Sequence, residues 1–248
     1  MPHSDVAENP KDPRFADDPV AALHLYRERG YHFEPGVWST DDIARLTRVM
    51  ATLEDPSGAM GSVAQNPHLL SPEFMAAARA PKVVSALRAI LGQSISGLQG
   101  QLMWGLPGAV GFSAHQDNFY VRTLPDAFVT AWHALDPADP ENGGLFIYPG
   151  SHREPVLPVD PPERPVLAAG APQHVTQQVA VLPQGKYREV GVRVNPGSML
   201  LMHAHLVHGS YRNRSETRTR RSFLFTYLQQ GAPFRAGMEN KRQPFPVT

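Results

Sequence analysis

The sequence predicts an α+β protein with a mainly β core, an antiparallel barrel or sandwich. Three observations predict it. Helix-period segments with recognisable caps are confined to residues 19–92, and everything after Ser94 reads as short apolar runs separated by Pro, Gly, Asn and Asp. Helices first and strands afterwards is the order of an α+β chain. The length of 248 residues suits one large β-rich domain without requiring two.

Residues 1–18 read as a flexible N-terminal tail, polar and acidic, with residues 19–248 forming a single domain. Asp18 then caps a helix whose first turn carries Pro19 and which stops at Gly30. A second helix starts at Ser39 with Asp42 three residues on, a capping box, and places Ile43, Leu46, Met50 and Leu53 on one face. "SPEFMAAARA" and "PKVVSALRAILG" are two shorter helices, each opened by proline. The strands are "ISGLQGQLMW", "AFVTAWHAL", "GLFIYPG", "REVGVRV", "SMLLMH" and "RSFLFTYL". Residues 153–196, rich in proline and glutamine and poor in periodic apolar positions, read as a substrate or lid insertion.

Composition narrows the function. Lys plus Arg equals Asp plus Glu at 23 each, so no net field attracts nucleic acid or an anionic membrane, and the partner class is a small molecule. There is no cysteine, which excludes disulfides, thiolate nucleophiles and thiolate zinc. Any metal must be held by His, Asp or Glu. The N-terminal segment lacks the basic start and apolar core of a secretory signal, and no apolar run reaches membrane length, so the expected location is cytoplasmic.

Three features bear on chemistry. "HQDNFYV", residues 115–121, reads as a strand, on which His115 and Asp117 share a face and can offer two ligands to one metal. Downstream, "LMHAHLVHGS" supplies His203, His205 and His208 as candidates for a third ligand. Two histidines and one carboxylate that leave open positions form the facial triad of non-haem Fe(II) oxygenases. The third feature, "NRSETRTRRSFLFTY", sets several arginines before an apolar strand, where a planar guanidinium can hold a carboxylate by two parallel hydrogen bonds.

These motifs resemble the phytanoyl-CoA dioxygenase-like family of Fe(II)- and 2-oxoglutarate-dependent oxygenases from Tyr26 to the C-terminus. The likeness is carried by "HQDNFYV", by "AWHALDPADPENGGLFIYPGSH" and by "PGSMLLMHAHLVHGSYRNRS" followed by "RRSF". The resemblance implies a double-stranded β-helix, the jelly-roll or cupin-like barrel, with the N-terminal helices packed outside. It implies iron ligands at His115, Asp117 and His208, the last being the histidine before Gly-Ser. Arg220 is implied as partner of the 2-oxoglutarate C5 carboxylate, assisted by Ser210, with Gln99 and Trp132 lining the cosubstrate or substrate pocket and Arg218 and Arg221 as alternatives to Arg220. At "WGLPG" the chain carries Gly105 where many relatives have lysine. The implied activity is hydroxylation or a related oxidation of an unactivated C–H bond, with 2-oxoglutarate and O₂ consumed, succinate and CO₂ released, and ascorbate helpful in vitro. The expected substrate is a hydrophobic metabolite or natural-product intermediate.

Two other classes use similar parts. A metal-dependent hydrolase can use His₂Asp for zinc, but "HAHLVH" has Val207 where the HxHxDH pattern needs aspartate. A non-catalytic metabolite-binding barrel has no use for this ligand set.

Overall fold

The computed structural model describes residues 6–7, 12–53, 63–160, 179–237 and 241–247. In chain order the elements are β1 (Val6–Ala7), α1 (Pro19–Arg29), β2 (Tyr31–Glu34), α2 (Thr40–Thr52), β3 (Val63–Gln65), α3 (Pro67–Leu70), α4 (Pro72–Ala78), α5 (Pro81–Leu91) and β4 (Ile95–Gly105). The second half holds α6 (Asp117–Val121), β5 (Phe128–Ala134), β6 (Leu145–Ile147), β7 (Val159–Asp160), β8 (Val179–Ala180), β9 (Val190–Val192), β10 (Met199–His203), β11 (His208–Ser210), β12 (Arg220–Gln229) and β13 (Phe245–Pro246).

The strands form two principal sheets. The larger runs β13-β4-β12-β5-β10-β2, with β3 also on β4, and the smaller runs β1-β9-β6-β11. Among the described residues every pairing is antiparallel except β1 on β9. The two sheets face one another as a jelly-roll sandwich, with no ladder joining them into a closed barrel among the described residues.

Strand alternation decides what each face does. Phe223, Phe225 and Tyr227 of β12, with Leu102 and Trp104 of β4, point outward and are buried beneath the helices against Leu46, Met50, Phe74 and Leu87. Register places Trp132 and Leu200 level with Leu224 on the inward face. There they meet Leu145, Ile147, Val192 and Val194 of the smaller sheet and its flank. The large sheet is thus covered on both sides, which is why its strands read as nearly continuous apolar runs.

The caps follow the sequence. Asp18 accepts from the Ala21 amide, Gly30 takes the left-handed conformation at φ 84°, and both halves of the Ser39–Asp42 capping box are present. Three expectations need correction. His115 and Asp117 do not share a strand: Asp117 opens the short helix α6, and His115 makes an isolated antiparallel bridge to His208. The described part of the 1–18 tail is attached, since Val6–Ala7 pairs with β9 and Phe15, 3% exposed, donates its amide to the buried Glu34 carboxylate. Within 153–196, β9 belongs to the smaller sheet, because Val190 and Gly191 pair with β6; residues 161–178 lie outside the described residues. Short β1, β2, β3 and β13 and helix α3 carry no pattern that marked them in advance.

Candidate metal centre

His115, Asp117 and His208 come together from three different local structures, with one ligand atom of each inside a 4.8 Å cluster. The bridge between His115 and His208, with amide-to-carbonyl distances of 2.9 and 3.0 Å, sets the two imidazoles side by side at 4.4 Å between ring centres. Asp117 enters from the first turn of α6. Its Oδ1 lies 3.6 Å from His115 Nε2 and 3.8 Å from His208 Nε2.

Each ligand is oriented by its other polar atom. His115 Nδ1 sits 2.7 Å from the Ser113 carbonyl and His208 Nδ1 3.0 Å from the Leu206 carbonyl. A carbonyl only accepts, so both Nδ1 atoms carry the proton and both Nε2 lone pairs face the cluster. On Asp117, Oδ2 accepts from the Thr130 hydroxyl, leaving Oδ1 free. Burial pushes the Asp117 carboxyl up, but His208, His115 and the Thr130 hydroxyl outweigh it and hold the group well below the usual carboxylate range. Burial also lowers His208, against the opposing pull of Asp117. Neutral imidazoles and an ionised carboxylate are the protonation states a divalent metal requires.

The remaining histidines of the downstream cluster turn elsewhere. His203 accepts from the His205 amide at Nδ1 and reaches Asp126 through Nε2 at 3.2 Å. His205 is held between the Glu154 carbonyl and the Asn118 side chain. Both line a 690 Å³ cavity outside the ligand cluster.

The three arginines separate equally clearly. Arg218 makes a forked pair with Asp139 and a further bond to Glu141, and Arg221 makes one with Asp136. Arg220 points into the sandwich, 5% exposed, with Nε on the Gly143 carbonyl and Nη1 on Ser222 Oγ. Among the described residues no carboxylate pairs with it. Burial lowers its pKa to about 10, partly offset by Asp136, so it stays charged at neutral pH. Gly105 faces it across the β4–β12 ladder, and a Cβ there would stand 3.1 Å from Arg220 Nε. The missing side chain at Gly105 leaves the guanidinium its room.

Other expected pocket residues are inside. Ser210, 5% exposed, accepts the Phe112 amide and ties the segment before His115 to β11. Trp132 is on the inward face with its indole N–H buried and, among the described residues, without a partner. Gln99 stands level with Thr226 and Thr130 on the inward face and bonds Gln65. Thr130 was missed in the sequence, although strand alternation in "AFVTAWHAL" puts it on the same face as Trp132.

Comparison with known proteins gives the family and the fold. Residues 26–222 match the family described as phytanoyl-CoA dioxygenase (PhyH). The chain is 24% identical to a probable alpha-ketoglutarate-dependent hypophosphite dioxygenase of Stutzerimonas stutzeri, over 84% of this chain and 77% of that protein. It spans about half the length of three further relatives that carry phytanoyl-CoA dioxygenase names, from Caenorhabditis briggsae, Oryza sativa and Mus musculus. Among solved structures, the carbocyclase SnoK from nogalamycin biosynthesis superposes with a TM-score of 0.73 at 17% identity, covering 92% of this chain and 91% of that one. The epimerase SnoN, in complex with Fe³⁺, alpha-ketoglutarate and nogalamycin RO, gives 0.70 at 21% identity over 88% and 87%. Among the described residues no helix is long and apolar enough to cross a membrane.

Proposed function

The chain belongs to the phytanoyl-CoA dioxygenase family, and from that premise we propose that it is an Fe(II)- and 2-oxoglutarate-dependent dioxygenase that hydroxylates, or otherwise oxidises, an unactivated C–H bond of a small molecule. The observation that carries this reading is the set of three aimed ligand atoms, His115 Nε2, Asp117 Oδ1 and His208 Nε2, each fixed by a partner on its second polar atom. Iron, 2-oxoglutarate and O₂ would together supply the oxidising chemistry, one oxygen atom going to succinate and the other to the substrate, with CO₂ released.

The protein's part is binding, orientation and exclusion of water. Arg220 is the natural holder of the C5 carboxylate: it is buried and charged, and it alone of the three candidates lacks an acidic partner among the described residues. Ser210, Gln99 and Trp132 line the pocket, where the buried Trp132 N–H, without an acceptor among the described residues, can donate to a bound molecule. The arms of the 153–196 insertion act as a lid over the ligands. Leu157 N donates to Gln116 Oε1, Gln116 Nε2 reaches the Pro155 carbonyl, and Ala180 N donates to the Ala114 carbonyl, so the insertion is bonded to residues next to His115 and Asp117.

The substrate we expect is a hydrophobic or natural-product intermediate, in keeping with SnoN and SnoK from nogalamycin biosynthesis. The expected location is cytoplasmic. A zinc hydrolase is disfavoured because Val207 is fully buried against Leu157 and Ala180, while His203 and His205 are committed elsewhere. Anaerobic reconstitution tests the proposal. The wild type should retain about one Fe(II) per chain and, with 2-oxoglutarate, show the weak visible absorption of its chelate to ferrous iron. Absence of either, with the three ligands intact, overturns the reading. Succinate release over a metabolite panel with Fe(II), ascorbate and air then identifies substrates.

A further inference from the structure

Asp117 owes its place to its two neighbours in sequence. The helix it opens, α6, has five residues, far fewer than a helix needs to hold itself in water, so side chains that reach out of it must fix its position. Gln116 and Asn118, both buried, stand on either side of the metal carboxylate. Gln116 Oε1 accepts from Leu157 N at 2.7 Å, and Nε2 donates to the Pro155 carbonyl at 3.2 Å and to the His205 carbonyl at 2.8 Å. Asn118 brackets Thr123: its Oδ1 accepts the Thr123 amide, its Nδ2 donates to the Thr123 carbonyl, and the second Nδ2 proton reaches His205 Nε2 at 2.8 Å. His205 closes the circuit. Its Nδ1 lies 2.8 Å from the Glu154 carbonyl, which only accepts, so the proton is on Nδ1 and Nε2 is the acceptor that Asn118 requires.

Both amide side chains thereby use every donor they have, and through Gln116 and His205 they hold the 154–157 arm. That arm leads into β7, whose ladder with β8 stands apart from the two sheets, and a two-stranded ladder alone is marginal in water. At the returning end, Ala180 N donates to the Ala114 carbonyl, next to His115. Arm and metal segment therefore support each other. We propose that Gln116 and His205 are positioning residues for the metal carboxylate: they make the seat of Asp117 depend on the order of the 154–157 arm, so that metal binding and arm order strengthen one another. Coupling of this kind is reciprocal, and metal must tighten the arm by about the factor that losing the arm removes from metal affinity. The inference rests on the oxygenase reading of the metal centre and names the residues that connect its lid to Asp117.

The test is hydrogen exchange read by mass spectrometry over residues 154–157, a stretch outside the ligand cluster, in the full chain with and without Co(II). In the wild type Co(II) should slow exchange there about fivefold or more. Gln116→Met and His205→Gln should each remove most of that slowing, weaken Co(II) binding by a comparable factor and shift the visible Co(II) spectrum as Asp117 moves. A residue that only supports the fold would change exchange equally with and without metal and leave the spectrum of the bound metal as it was. The wild-type comparison decides without any variant: Co(II) uptake with no slowing at 154–157 overturns the inference, and so do folded variants that bind Co(II) within twofold of the wild type. If the wild type takes up neither Fe(II) nor Co(II), the oxygenase reading falls and this inference with it, whereas metal uptake without the coupling removes the inference alone.

Discussion

Replacing Thr130 by valine removes one hydroxyl and leaves the shape of the side chain nearly unchanged. Thr130 is 2% exposed, and its Oγ1 donates to Asp117 Oδ2 at 2.5 Å. A hydrogen bond to a charged group contributes about 1.5–3 kcal/mol. The Asp117 side chain is 20% exposed, so water replaces part of what is lost and the lower end of that range applies. About 1.5 kcal/mol corresponds to roughly tenfold in metal affinity, in line with the 10–100-fold effects of partners that orient metal ligands. The assay is anaerobic titration with Fe(II), or with Co(II) as an air-stable optical surrogate, on wild type, Thr130→Val and Thr130→Ser. Serine should restore most of the affinity and valine should not. A valine variant that binds metal within twofold of the wild type would show that Asp117 is oriented by something other than Thr130.

Three further outcomes follow from the same geometry. Arg220→Ala should raise the apparent 2-oxoglutarate requirement tenfold or more while leaving iron binding intact, since a charge-assisted bond in a buried site contributes roughly 1.5–3 kcal/mol; the effect appearing in Arg218→Ala or Arg221→Ala instead would reassign the anchor. Asp117→Gly and alanine at His115 or His208 should abolish iron retention while the protein stays folded, checked by metal analysis beside circular dichroism; normal metal content in all three would sink the centre. Acid sensitivity should trace in part to His133, which accepts from the Trp38 indole and whose pKa burial lowers to about 3. The unfolded imidazole takes up a proton near pH 6.5, so this group destabilises the fold as pH drops below that value, by about 2 kcal/mol at pH 5. Denaturation midpoints at pH 7 and pH 5 should therefore differ less in His133→Gln than in the wild type, and equal differences would refute it.

The order of elements was legible because its signals are local. Ser39 and Asp42 cap α2 through bonds that span three residues, and the alternation of "RSFLFTYL" marks β12 whatever lies beside it. The candidate ligand residues, His115, Asp117 and His208, were legible by type and, through family resemblance, by position, and the structure brings them together. Their conformation was not: "HQDNFYV" reads as a strand, yet Asp117 starts a helix, because the bridge to His208 holds only His115 and the chain turns immediately after it. The sequence also kept Arg218 and Arg221 open as alternatives to Arg220. Only the tertiary structure separated them, since Asp136, Asp139 and Glu141 lie some eighty residues away along the chain and neutralise the two outward arginines. Inward, Gly105 leaves room for the third, and the Gly143 carbonyl accepts from its Nε. Local hydrogen bonds and strand period are written in neighbouring residues, whereas charge pairing and the space to bury a guanidinium depend on strands that meet only when the two sheets close.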